Sequence, residues 1–111
     1  MQEKIKRVYI PMTETAFYIL FALQEERHGY EITQRTKELT AGQVIISPGT
    51  MYGSLSKMEK DGLIQLVREE QKRKIYRTTP LGQEVLQLEQ ERIARLYHNS
   101  KGDIYETDKA L

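Results

Sequence analysis

The segment from Pro48 to Asp61 carries the residues whose types and spacing could do chemistry. Helical spacing divides it into an apolar face and a face that is small, polar and cationic. The apolar face comprises Met51, Leu55 and Met58, and the polar face comprises Gly49, Thr50, Gly53, Ser56, Lys57 and Lys60. Free N–H groups at a helix N-terminus attract phosphate, and hydroxyls can bond to base edges. These features suit a helix lying in a DNA major groove, and an ordinary amphipathic surface helix is the alternative. Two exposed glycines favour the first interpretation, because each lowers helix stability by about 1 kcal/mol relative to alanine.

A second cationic cluster, the triplet Lys72–Lys74, follows that segment. Most charge runs of this kind are solvated loops. Placed after a candidate recognition helix, the triplet could instead contact backbone phosphates or a minor groove. Lys4, Lys6 and Arg7 could add phosphate contacts, although a frayed polar terminus is the simpler interpretation.

Evidence for catalysis or metal binding is sparse. His28 stands beside a turn and His98 near a helix end, and neither belongs to a recognisable metal or triad spacing. The absence of cysteine excludes disulfides, thiolate metal sites and a cysteine nucleophile. Neither common phosphate-binding glycine loop is present. We therefore expect no enzyme activity, no cofactor and no metal.

Length and charge are those of a small globular protein. The chain has 111 residues and a formal net charge of +1, which predicts a single domain. The net charge does not decide about a nucleic-acid partner, because phosphate attraction depends on local clusters of cations. No apolar run approaches the roughly 20 residues that span a bilayer, and no apolar stretch follows the first cations as in a signal peptide. We expect a cytoplasmic protein with no membrane contact.

Periodicity and capping residues predict three helices, a β-hairpin and a final helix. Thr13, Ser47 before Pro48, and Thr79 before Pro80 mark three helix starts. The expected bounds are 13–23, 30–39 and 48–61 for three helices, 63–69 and 75–78 for two strands, and 80–99 for the last helix. Residues 1–10 are expected to form an arm, 44–46 a brief β-prone run and 70–74 an exposed loop. The fold class is therefore mainly α with a small β-hairpin, a winged helix-turn-helix.

The last helix is longer than its small domain needs, at roughly 30 Å. Ile93, Leu96 and Tyr97 extend beyond the reach of that domain and would form an exposed apolar patch. A second copy of the chain is the simplest cover, which predicts a two-fold homodimer with recognition helices about one DNA turn apart. We expect a DNA-binding domain at 1–79, a dimerisation helix at 80–99 and a mobile tail at 100–111.

Several stretches, in this order, resemble the PadR family of transcriptional regulators, and in particular its short members. They are Ala16–Leu23, His28–Tyr30, Ser47–Leu55, Glu59–Ile64, Arg73–Tyr76 and Thr79–Gly82, and the resemblance covers about residues 13–96. It implies a cytoplasmic homodimer that binds double-stranded DNA, in most members as a repressor. It places Pro48–Tyr52 at the start of the recognition helix, residues 72–74 at the wing, and the dimer interface on the last helix and the first. Many members release DNA when a small, often aromatic, effector binds.

The residues and the resemblance together give two sets of candidate site residues. The candidates for DNA binding are Tyr30, Gly49, Thr50, Tyr52, Gly53, Ser56, Lys57, Lys60, Lys72, Arg73 and Lys74. The candidates for the dimer interface are Phe17, Phe21, Leu88, Ile93, Leu96 and Tyr97.

Two alternatives stay open beside the DNA-binding homodimer. One is a winged-helix module that binds proteins. The cations of residues 57–60 and 72–74 argue against this alternative. The other is a sensor with a ligand pocket at the dimer centre, which Phe17, Phe21 and Tyr97 could line, although core packing is the simpler role for each. A multidrug-sensing short PadR member sandwiches flat drugs with a tryptophan of its dimer helix. This chain has no tryptophan, and Ile93 falls at about that place, so a stacking sandwich is not expected.

Overall fold

A computed structural model of the chain describes residues 2–106. The elements in chain order are α1 (Gln2–Tyr9), α2 (Glu14–Ala22), α3 (Gly29–Leu39), α4 (Pro48–Lys60), β1 (Ile64–Glu70), β2 (Arg73–Thr78) and α5 (Pro80–Ser100). The two strands pair antiparallel as a hairpin. The predicted fold class, mainly α with one hairpin in winged helix-turn-helix order, is confirmed.

Side-chain caps determine where α2, α4 and α5 begin. The hydroxyls of Thr13, Ser47 and Thr79 each accept the backbone N–H three residues further along. Proline stands in the first turn of both α4 and α5, where its missing N–H loses no hydrogen bond. These are the three helix starts that the sequence predicted, so the beginnings of these helices agree with expectation.

The hydrophobic core lies where α2, α3 and α4 pack against the hairpin and the first half of α5. Its buried side chains include Ile19, Leu20, Leu23, Ile32, Met51, Leu55, Met58, Leu63, Ile64, Val85 and Leu86. Met51, Leu55 and Met58 are the predicted apolar face of α4. Because that face is buried, the opposite face of α4 is turned to solvent.

The hairpin turn is tighter than the sequence predicted. Pairing continues to Glu70 opposite Arg73, which leaves only Gln71 and Lys72 in the turn. Both residues have positive φ, 51° and 67°. A two-residue hairpin turn commonly requires such angles and is usually made by Asn-Gly, so this sequence lacked the usual signal. The predicted loop over 70–74 is therefore wrong, and Arg73 and Lys74 belong to β2.

The expected N-terminal arm is also wrong, because these residues form helix α1. Glu3 in the first turn and Lys6 and Arg7 in the last turn complement the helix dipole. Ile5 and Tyr9, four residues apart, pack against the core. This spacing was the sequence signal for a helix. The cations around it favoured instead the interpretation of these residues as a polar terminus.

The segments flanking α4 and α5 are irregular. Within the described part of the chain, the β-prone run at residues 44–46 forms no strand: the Val44 N–H donates to the Thr40 hydroxyl at 3.0 Å and Ile46 is buried in the core. After α5, the Asn99 amide donates to the Asp103 carbonyl at 2.8 Å. Residues 107–111 of the predicted tail lie outside the described residues.

Candidate nucleic-acid interface

The polar face of α4 is open to solvent. Gly49, Thr50, Gly53 and Ser56 are all exposed. A Cβ atom added at Gly49 or Gly53 would meet no atom within 4 Å, so packing within the chain requires neither glycine. Their effect is to leave the backbone of α4 accessible along its first two turns.

Lys57 lies on the flank of that face and has partners within the chain. Its Nζ atom lies 3.1 Å from Asp61 Oδ2 and 5.1 Å from the centroid of the Tyr9 ring. A carboxylate and an aromatic face both stabilise an ammonium group, which reduces the charge that Lys57 presents to a partner. Lys60 is exposed at the end of the same helix and also lies near Asp61.

Helix α1 holds the C-terminal end of α4. The Tyr9 hydroxyl donates to Asp61 at 2.7 Å. This hydrogen bond holds the pKa of Asp61 below its usual range, with Lys57 and Lys60 adding to the effect, and burial raises the pKa of Tyr9. Asp61 thus stays ionised and fixes the last turn of α4 against α1.

An open groove of about 610 Å³ separates α4 from the hairpin, and we call it the α4–wing groove. Its walls come from the start of α3, the exposed side of α4 and both strands. The lining residues are His28, Gly29, Tyr30, Tyr52, Leu55, Ser56, Glu59, Glu69, Lys72, Arg73, Lys74 and Tyr76. The groove thus combines hydroxyls, exposed tyrosines and the cationic triplet with two carboxylates.

Ion pairs and backbone hydrogen bonds fix the hairpin relative to the helices. Arg27 and Tyr76 exchange two backbone hydrogen bonds of 3.1 and 3.0 Å, and the Thr78 N–H donates to the Leu23 carbonyl at 2.8 Å. On the surface, Arg68 of β1 donates to Glu26 at 2.6 Å. The wing is therefore held in place by the loop between α2 and α3.

The outer half of α5 carries an exposed apolar face. Ile93, Leu96 and Tyr97 are 41%, 49% and 56% exposed, which is high for side chains of this size. On α2, the rings of Phe17 and Phe21 stack at 6.0 Å between centroids and are half-buried. Leu88, one turn before the exposed face of α5, is also half-buried. An exposed apolar face on a projecting helix is typical of a protein–protein interface.

Comparison with known families identifies the chain. Residues 19–88 match the family described as Transcriptional regulator PadR-like, a range that runs from α2 to the first half of α5. The chain belongs to this family. The resemblance of the sequence motifs to the PadR family is confirmed.

Individual PadR-like relatives agree with this assignment. The chain is 40% identical, over 68 residues, to Transcriptional regulator Rv3488 of Mycobacterium tuberculosis, covering 59% of this chain and 61% of that protein. A solved transcriptional regulator from Clostridium thermocellum superposes with a TM-score of 0.70 at 25% identity, over 82% of this chain and 90% of the other. A PadR-like transcriptional regulator from Bacillus cereus gives 0.66 at 26% identity, over 78% and 87%. The match to the Mycobacterium tuberculosis regulator thus spans about three fifths of that relative's length.

Metal-ligand groups and membrane-spanning helices are two features that residues 2–106 do not contain. No three His, Asp or Glu side chains gather there in a group that could hold a metal ion. No helix of this part of the chain has the length and apolar character to cross a bilayer.

Six of the predicted DNA-binding residues of this PadR-like chain line the α4–wing groove. They are Tyr30, Tyr52, Ser56, Lys72, Arg73 and Lys74. The other five, Gly49, Thr50, Gly53, Lys57 and Lys60, are exposed on α4 outside the groove lining. Sequence reasoning assigned no site role to His28, Glu59 or Glu69, which also line it. His28 belongs to the His28–Tyr30 stretch that resembles the PadR family, but nothing in the sequence indicated that Arg73 would lie beside it.

Proposed function

We propose that this PadR-like regulator binds double-stranded DNA sequence-specifically as a homodimer. In the proposed complex, α4 lies in the major groove and the hairpin contacts flanking phosphates or the adjacent minor groove. The observation that carries the proposal is the combination of a bare, polar α4 face with a cationic wing across one groove.

The chemistry of the α4 face suits base edges. Thr50 and Ser56 can donate or accept hydrogen bonds at base edges, and the N-terminal N–H groups of α4 favour a phosphate. Gly49 and Gly53 allow the helix backbone to approach the DNA closely. The cations of the wing supply the attraction to phosphate that is independent of sequence.

The exposed apolar face of α5 supports the proposal of a homodimer. Ile93, Leu96 and Tyr97 would be buried by the same face of a second copy, as two-fold symmetry requires. Phe17, Phe21 and Leu88 would extend this interface toward the body of the domain. Two recognition helices related by such an axis would read half-sites about one DNA turn apart.

The proposal is tested by selecting duplexes from a randomised DNA pool with the full chain, then measuring affinity by fluorescence anisotropy. We expect an enriched, two-fold symmetric sequence that binds much more tightly than a scrambled duplex of equal length at two salt concentrations. Equal binding to both duplexes, vanishing as salt rises, would mean only a charged surface. That outcome would favour the winged-helix protein-interaction module instead.

Further features of the function rest on the family resemblance. Repression requires that the selected sequence overlap a promoter, and release by a small aromatic effector stays a prediction. Location in the cytoplasm is likewise implied by the resemblance, and the proposed role is one of binding without a catalytic step.

A further inference from the structure

His28 stands at the start of α3, where it faces the hairpin. Its side chain is only 16% exposed. On the hairpin, the Nη1 atom of the Arg73 guanidinium lies 3.2 Å from His28 Nε2. The contact joins residues 45 positions apart in the sequence and bridges one end of the α4–wing groove.

The chemistry of the two groups determines the direction of this hydrogen bond. A guanidinium carries only donors, so Arg73 donates and the His28 ring accepts through Nε2, with its own ring proton on Nδ1. Glu31 Oε1 lies 3.4 Å from the same nitrogen.

Tyr30 provides a second contact for the same guanidinium. The Arg73 Cζ atom lies 5.8 Å from the centroid of the Tyr30 ring, within the range of a cation–π interaction. The Tyr30 and His28 rings are themselves roughly parallel, with centroids 6.5 Å apart. Arg73 is thus held by two side chains of α3 before any partner arrives.

We propose that His28 is a positioning residue that pre-orients Arg73 for contact with DNA phosphate. A long arginine side chain loses conformational freedom when it binds, and holding it beforehand reduces that loss. The inference rests on the proposed function, because it assigns a role within the same DNA-binding site.

His28 also has a structural role, which the test must separate from the positioning role. Its own N–H donates to Glu31 Oε1 at 3.1 Å, which caps α3, and its Nδ1 atom lies 3.4 Å from the Glu31 backbone nitrogen. The ring accepts through one nitrogen only, so Nδ1 does not accept the Glu31 N–H while Nε2 accepts from Arg73. His28→Asn keeps a side chain that caps helices well but is too short to reach Arg73. His28→Ser, also a good cap, serves if the asparagine variant fails to fold.

The test is a double-mutant cycle on DNA affinity with His28→Asn and Arg73→Gln, using the full chain and the duplex enriched by selection. Arg73→Gln should weaken binding about tenfold and lower the slope of log affinity against log salt by about 0.9. His28→Asn should weaken binding about threefold in the native background and have no effect in the Arg73→Gln background. Thermal melts of all variants check that the helix cap is intact.

Arg77→Gln is the matched control for loss of charge. Arg77 lies on the same strand, is exposed, and pairs with Glu26 at 3.8 Å. His28→Asn should keep its threefold effect in the Arg77→Gln background.

Two results would overturn the inference alone. One is native affinity of the His28→Asn protein, and the other is the same loss from His28→Asn whether or not Arg73 is present. A wild-type protein that prefers no duplex at all would overturn the proposed function and this inference with it.

Discussion

Gly53→Ala should raise the stability of the fold and lower the affinity for DNA, so it separates the two requirements on this residue. Gly53 is exposed inside the 13-residue helix α4, and an added Cβ would meet no atom within 4 Å. Alanine is favoured over glycine inside a helix by about 1 kcal/mol, so the free energy of unfolding should rise by nearly that amount. For a domain of this size the melting temperature should increase by about 4 °C.

The same methyl group should weaken DNA binding. If the α4 backbone approaches the base edges at Gly53, the methyl occupies space that the DNA needs, and we expect affinity to fall at least about tenfold. Thermal melting and fluorescence anisotropy with the selected duplex measure the two effects on one preparation. A variant that is stabilised yet binds as tightly as wild type would show that this face does not lie against DNA.

Thr36→Val is the matched control for this experiment. The Thr36 hydroxyl is buried and has no hydrogen-bond partner among residues 2–106. Replacing it with a methyl group of similar shape removes an unsatisfied polar atom, which should raise stability by about 1 kcal/mol. Because no exposed surface changes, DNA affinity should stay at the wild-type value. If Thr36→Val also lowered DNA affinity, the loss in Gly53→Ala would be due to the higher stability of the fold and not to the methyl group on α4.

Three further predictions address the dimer and the core. Leu96→Asp should give monomers in sedimentation experiments, because a charge would enter the proposed interface; persistent dimers would exclude this face. Gly82→Ala should destabilise the fold by at least about 3 kcal/mol in denaturant melts, since its Cβ would clash with the Leu63 carbonyl oxygen, and near-native stability would contradict that packing. Burial pushes the pKa of Glu89 up, but Arg92 and a backbone N–H outweigh it and hold that pKa below its usual value of 4.5. The ionised Glu89 therefore stabilises the fold above that pH, and this contribution is lost on acidification. Glu89→Gln should lower stability by about 2 kcal/mol at neutral pH and flatten the acid dependence; an unchanged acid profile would refute this role.

Local signals predicted most of the fold. Hydroxyl residues followed by proline define where α4 and α5 start, and the spacing of Met51, Leu55 and Met58 identifies which side of α4 is buried. These features depend on residues within one or two turns of each other. The polar face of α4 follows directly, which is why its glycines and hydroxyls could be chosen from the sequence.

Two features that the sequence did not predict depend on residues far apart in the chain. The hairpin turn at Gln71 and Lys72 adopts positive φ without the usual glycine, because pairing of the flanking strands requires it. The contact between His28 and Arg73 depends on how the hairpin folds back over α3. Neither the turn nor the contact produces a local sequence pattern. The position of the wing along the chain could therefore be predicted, but the side-chain contacts that hold it could not.

Helix α1 contacts both the helix proposed to bind DNA, α4, and the helix proposed to dimerise, α5. Lys6 pairs with Glu84 of α5 at 3.2 Å, while the Tyr9 hydroxyl donates to Asp61 at the end of α4. At the junction with α2, the Met12 N–H donates to the buried Glu89 of α5 at 3.0 Å. A helix bonded to both α4 and α5 fixes the angle between them. In the proposed homodimer that angle determines the separation of the two recognition helices, so α1 contributes to the half-site spacing without touching DNA.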